Sequence, residues 1–187
     1  MNPLTIIQVV IFFPGTIFLI FFSKKSFQSF KVHGFYRFFV FEFVLVLVLL
    51  NIPHWLTNPF SPQQIFSWIL LSVSIYLLFQ SISFLKKIGG SKKREKNSAN
   101  FNFENTVNLV SDGVYRYIRH PMYSSLLFLC FGTLLKNINV LTILLTVIVV
   151  LFLILTAKVE EKENINFFGN SYLEYMKETK MFVPCIF

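Results

Sequence analysis

Cysteine and acid are the scarce residues of this chain. Among 187 residues there are two cysteines and nine Asp or Glu. Two cysteines cannot make a disulfide framework. Cys130 lies within an apolar run, and Cys185 is third from the end, one place away from a C-a-a-X prenylation site. No Asn-x-Ser/Thr sequon is present, so nothing marks the chain for N-glycosylation. No grouping of metal-type ligands stands out, and no metal is expected. Against the nine acids stand 17 Lys or Arg, for a net charge of +8. In a soluble protein that balance would suggest nucleic acid. Here the charges have to be weighed against the apolar content first.

Apolar residues are what the chain has in excess. They make up 55% of it, and 25 are Phe, which is too apolar for an ordinary soluble domain. Five segments have the length and composition of membrane spans or near-spans: residues 3–22, 35–56, 64–85, 122–135 and 138–157. The fourth has 14 residues, about 21 Å at about 1.5 Å per residue, and needs its neighbours to cross a bilayer. Residues 136–139 form a tight connection, so the last two spans make a helical hairpin. The first segment has no basic n-region, a long apolar run and Ser23-Lys24-Lys25 behind it, so it is expected to stay as an uncleaved span. Pro14 is a place for a kink in it.

The cations sort by side. Sixteen of the 17 fall in the first connection, the third connection or the C-terminal tail, and only Lys136 falls on the other side. By the positive-inside rule the N-terminus is outside and the tail is cytoplasmic. Nucleic-acid binding is then unnecessary. The expected class is an all-α, multi-pass integral membrane protein of about five transmembrane helices. A C-terminal hairpin and a cytoplasmic interfacial tail helix complete it. The expected membrane is a bacterial inner membrane or the endoplasmic reticulum. The segment 92–105, rich in Lys and Asn, is expected to be a solvated linker.

Two polar clusters stand where apolar helices meet the cytoplasm. The first is "YRYIRHPMYSS", residues 115–125. Pro121 disfavours helix at His120 and suits the first helical turn, so the fourth span is expected to begin at Pro121. Free amides at a helix start attract anions. Arg119 and His120 flank that start and suit a small anionic ligand. Span anchoring is the other use for Arg116 and Arg119. The second cluster is "EEKENINFFGNSYLEY", residues 160–175. Glu160 and Glu161 follow the apolar run at once; neighbours on a helix point about 100° apart, so one can face the bundle and the other water. Ile165, Phe168, Tyr172 and Tyr175 recur at helical spacing and predict an amphipathic interfacial helix packed by its aromatics. Gly169 is expected to allow close packing. Glu42 lies inside the second span, where an ionisable residue is a functional candidate, and Arg37 is its expected partner.

Together these clusters resemble the isoprenylcysteine carboxyl methyltransferase family. The carriers are "LVSDGVYRYIRHPMY", a helical hairpin, and then "EEKENINFFGNSYLEY", in that order. Integral-membrane phospholipid N-methyltransferases share the plan. The resemblance covers about the last 80 residues; the first three spans match only as hydrophobic segments. It divides the chain into three N-terminal helices over 1–90 and a cofactor-binding catalytic region over 91–187. It implies S-adenosylmethionine as methyl donor and a lipid or prenylated acceptor, most simply the carboxyl of a prenylated cysteine. Carried over, the cofactor meets Leu109, Val110, Tyr115, His120, Pro121, Met122, Tyr123 and Glu160. Arg119, Lys158 and Glu161 are the candidate catalytic residues, with Glu161 the base that an amine acceptor would require.

Several positions depart from the family pattern. Ser125 replaces a usual glycine. Thr156 stands where a family arginine contacts the substrate carboxylate; Lys158 is close by but lacks the planar fork. Glu178 replaces a usual arginine. Phospholipid N-methylation is the alternative acceptor chemistry. Sterol and steroid reductases have a similar Arg-His-Pro-x-Tyr segment that binds NADPH, but with Asn in place of Met122 and Gly-Glu in place of Ser124-Ser125. A non-catalytic protein that keeps the fold is the third class.

Overall fold

The structure is a computed structural model and describes residues 3–90, 101 and 104–184. Among these residues it is helical, with one isolated parallel bridge between Ile118 and Lys180. The helices are α1 (Pro3–Phe22), α2 (His33–Asn51), α3 (Pro62–Ile88), α4 (Pro121–Leu134), α5 (Val140–Phe168) and α6 (Asn170–Glu178). α1, α2, α3 and α5 are long and apolar enough to cross a membrane; α4 is shorter. The lysine-rich part of the expected linker, Lys92 to Lys96, lies outside the described residues, and so does Cys185.

Local chemistry explains most helix boundaries. α3 starts at Pro62 behind Ser61, whose side chain accepts from Gln64 N at 3.4 Å. α5 starts with a capping box in which Asn139 and Thr142 satisfy each other's backbone amides. α4 starts at Pro121, as expected, with His120 as its non-helical cap. α2 ends earlier than its apolar run suggests. The chain leaves the helix at Asn51 and makes a 3-10 turn over Ile52–His54 that contains Pro53.

The largest correction is at the C-terminal end. α5 continues to Phe168, well past the expected exit at residue 157. Glu160, Glu161, Ile165 and Phe168 therefore belong to the spanning helix, and only Tyr172 and Tyr175 ride on α6. Gly169 makes the break, with φ of 63°. A Cβ there would touch nothing within 4 Å. Its requirement is therefore backbone conformation, not close packing.

α4 packs mainly against α3, and α5 against α2. Small polar residues bring α3 and α4 together: Ser67 donates to Gly132 O and Ser74 to Ser125 O, both at 2.7 Å. The buried apolar core runs between α2 and α5 through Val40, Val44, Leu47, Val149 and Leu153. α1 rests mainly on α2 and is apolar and exposed along its length. At the far end of the bundle, Lys136 is buried. Its Nζ donates to Gln64 at 3.0 Å and lies 3.5 Å from the Trp68 ring centre.

The expected Arg37–Glu42 pair does not form. Glu42 sits midway along α2 and accepts a hydrogen bond from Thr16 of α1 at 2.6 Å. Arg37 pairs with Glu104, in the connection between α3 and α4, at 2.7 Å. Five positions on a helix place two side chains on different faces, at about 100° per residue, so sequence proximity misled here.

Candidate functional site

The start of α2, the start of α4 and the end of α5 meet at one end of the bundle. His33, the first residue of α2, holds Glu163 of α5 by its backbone amide at 2.9 Å and its Nδ1 at 2.6 Å. At the same end residues 104–120, ahead of α4, line the opening. Its lower edge is pinned by the tail: Arg119 N donates to Lys180 O at 2.8 Å and His120 N to Met181 O at 3.1 Å. Ser124 fastens this from below, donating to Phe182 O at 2.7 Å.

A cleft of about 630 Å³, open to solvent at its mouth, lies inside this frame. Leu85 of α3, Glu104, Thr106, Leu109, Val110, Tyr115, Arg119 and His120 of the connection, and Pro121, Met122 and Tyr123 of α4 line it. Glu160, Asn164 and Phe168 of α5 and Tyr172 and Tyr175 of α6 complete the wall. All eight residues expected at the cofactor are therefore on one cleft. Of the three catalytic candidates, Arg119 lines it, Glu161 pairs with Arg119 behind it, and Lys158 is exposed on α5 outside the lining.

The polar geometry is closely interlocked. Tyr123 Oη donates to Glu160 Oε2 at 2.5 Å. The His120 ring stacks on Tyr123 with centres 5.4 Å apart. His120 Nδ1 lies 3.8 Å from Glu160, and Nε2 lies 3.4 Å from Glu161. Nε2 is at ion-pair distance but makes no hydrogen bond of good geometry, and it is buried. Glu160 and Glu161 thus both face inward and take His120 from two sides. Arg119 gives Nε to Glu161 at 2.7 Å and one terminal nitrogen to the Thr179 and Met176 carbonyls. Its guanidinium therefore ties α5 to the tail as well as bordering the cleft.

The aromatic wall was not read as site residues in the sequence. Tyr172 and Tyr175 are buried, and Tyr175 Oη donates to Tyr115 O at 2.6 Å. Burial pushes the Tyr115 phenol well above its ordinary value, and the carboxylates of Glu160 and Glu104 add to the shift. Burial also raises Tyr172, again with Glu160 contributing, and raises Tyr175 against the opposing charge of Arg119. These are neutral rings whose faces are available to a cation.

S-adenosylmethionine carries a carboxylate, an ammonium and a sulfonium, and the cleft has a complement for each. Met122 and Tyr123, in the first turn of α4, carry amides for which an α-helix supplies no carbonyl partner, and the buried His120 Nε2 stands beside them. Glu160 offers a carboxylate, and Tyr115, Phe168, Tyr172 and Tyr175 offer rings. Among the described residues no group of His, Cys, Asp or Glu could hold a metal ion.

Comparison with known proteins points to methyl transfer. A sequence model of the phospholipid methyltransferase family matches residues 62–171, which run from the start of α3 into α6. The protein-S-isoprenylcysteine O-methyltransferase of Schizosaccharomyces pombe is 38% identical over 80 residues, covering 42% of this chain and 34% of that protein. The protein of the same name from Saccharomyces cerevisiae is 35% identical over 79 residues, covering 42% and 33%. The match thus spans about a third of the length of these relatives. No solved structure matches the chain. The family match covers more than half of the sequence and includes every residue lining the cleft except Tyr172 and Tyr175; the chain belongs to the phospholipid methyltransferase family.

Proposed function

We propose that this protein is a membrane-embedded, S-adenosylmethionine-dependent methyltransferase whose acceptor is a lipid-like molecule, with the carboxyl of a prenylated cysteine as the leading acceptor. The carrying observation is the cleft itself. Residues that suit a charged, water-soluble cofactor converge where the apolar helices α3, α4 and α5 end. A polar donor would enter from water, and a greasy acceptor would slide in from the bilayer. The yeast relatives, both named isoprenylcysteine O-methyltransferases, support the acceptor class. The charge asymmetry supports a cytoplasmic site end and an N-terminus outside.

S-adenosylmethionine, when bound, supplies a methyl group activated by its sulfonium. The chain's own residues position and shield. Tyr123 and Glu160 are locked together, so the cleft floor has a fixed carboxylate without a rotamer search. The rings of Tyr115, Tyr172 and Tyr175 exclude water around the transfer. A carboxylate acceptor gives up no proton and requires no base. An amine acceptor does, and the family match keeps a phospholipid amine as the second reading. Glu161, beside His120 and Arg119, would receive that proton through His120.

The test is methyl transfer from radiolabelled S-adenosylmethionine to a farnesyl-cysteine analogue, to phosphatidylethanolamine and to a soluble amine. Label in the first supports the leading acceptor, and label in the second promotes the phospholipid. Label in the soluble amine alone overturns the membrane-access reading.

A further inference from the structure

Arg37 belongs to none of the sequence clusters, yet it pairs with Glu104, which lines the cleft. It stands one turn into α2, about 6 Å along the helix from His33 at about 1.5 Å per residue. Its side chain is 4% exposed. It donates to Glu104 Oε2 at 2.7 Å, and its guanidinium carbon lies 3.7 Å from the centre of the Phe101 ring. The same Glu104 oxygen accepts the Phe101 amide at 2.9 Å.

The cluster has two sides. Glu104 lines the cleft. Phe101 rests on Phe22 of α1, with centres 4.4 Å apart, and on Phe41 of α2 at 6.4 Å. α1 is apolar and exposed along its length, the face that lipid would cover. Arg37 therefore stands between the lipid side and the cleft. A buried guanidinium requires an anion, and its planar fork matches a carboxylate. The resident anion comes from a connection between helices, which can be exchanged without unpacking the bundle.

We infer that Arg37 is the docking cation for the acidic head of the lipid-like acceptor, and that Glu104 is a resident carboxylate that the acceptor displaces. This rests on the reading that the acceptor is lipid-like and carries a carboxylate. Exchange of one carboxylate for another keeps the guanidinium paired throughout. It also puts the acceptor's carboxylate in the cleft wall where Glu104 now stands. Glu104 is then a competitor for the site, which gives its removal the opposite sign to that of a structural latch.

The experiment measures binding of a farnesyl-cysteine analogue and of its uncharged carboxamide to the full chain in detergent, without turnover. Wild type is expected to prefer the acid by roughly tenfold, the scale of a charge-assisted hydrogen bond. Arg37→Gln should abolish that preference, and Arg37→Lys, which keeps the charge and the fold without the fork, should reduce it. Glu104→Gln should tighten acid binding. Loss of acid binding in Glu104→Gln, or an unchanged preference in both Arg37 variants, overturns the inference. So does an Arg37 dependence seen for phosphatidylethanolamine and not for the acid. Failure of methyl transfer with the acid preference intact would instead count against the proposed function, so the two failures are told apart.

Discussion

Tyr123 Oη and Glu160 Oε2 lie 2.5 Å apart, although 37 residues separate them in sequence. The contact joins the first turn of α4 to the final third of α5 and fixes the one carboxylate that both lines the cleft and faces His120. The two arms of one helical hairpin are thereby made into a single wall.

Loss of that carboxylate should show directly in ligand binding. Glu160→Gln and His120→Ala are each expected to weaken S-adenosylhomocysteine binding by about tenfold, the scale of one charge-assisted contact. Tyr123→Phe should have a smaller effect, because it removes the donor and keeps the ring. Lys177→Ala, on the exposed face of α6, is the control. Isothermal calorimetry checks the series; equal behaviour of all four variants would remove the pocket.

The close approach of α3 and α4 makes Gly132 a stability test. A Cβ there would lie 2.9 Å from Leu71 Cγ and 3.2 Å from the Ser67 carbonyl oxygen. Gly132→Val should therefore push the helices apart and strain the Ser67 hydrogen bond, at a cost of about 1–3 kcal/mol. Thermal unfolding in detergent reads this as a lowered Tm. An unchanged Tm would mean that the two helices do not pack as described.

Topology follows from the cations. Reporter fusions at Asn58, Asp112 and Lys177 should report outside, inside and inside. The structure puts the last two positions at the same end of the bundle, beside the cleft, and Asn58 at the other. Opposite sides for Asp112 and Lys177 would separate the two clusters and dissolve the site.

The buried tyrosines predict an alkaline limit. Tyr115, Tyr172 and Tyr175 lie outside the spans, and all three have raised values in the folded chain. The unfolded chain therefore ionises first. Stability is full below about pH 10, the ordinary tyrosine value, and falls as pH rises beyond it toward the folded-state values. Phenolate absorbance from these residues should appear only as the helical signal is lost. Phenolate formation with helicity intact would contradict their burial.

Much of this architecture was legible because its signals are local. α1 coincides with its apolar run, and Pro121 marks the start of α4, since length, hydropathy and a missing amide need no tertiary context. Residues 109–123 and Glu160 likewise announced the cleft through motif order. The pairs that shape it were not legible in the same way. Arg37 with Glu104, and His33 with Glu163, join residues 67 and 130 apart, and nothing beside them in sequence names the partner. Acid scarcity was the usable signal: four of the nine acids, Glu104, Glu160, Glu161 and Glu163, lie within ion-pair distance of an arginine or histidine at this one end. The periodic aromatics of the tail misled for a different reason. Helical spacing runs unbroken through Gly169, but the backbone does not, so Phe168 and Tyr172 ride on separate helices around one cleft.

Calorimetry on the detergent-purified protein with S-adenosylhomocysteine and with NADPH tests the central claim most directly, because a methyltransferase, a reductase and a non-catalytic protein of this fold give three different results. The account predicts saturable binding of S-adenosylhomocysteine, weakened by Glu160→Gln, and no binding of NADPH. Binding of NADPH alone, or of neither ligand, would contradict it.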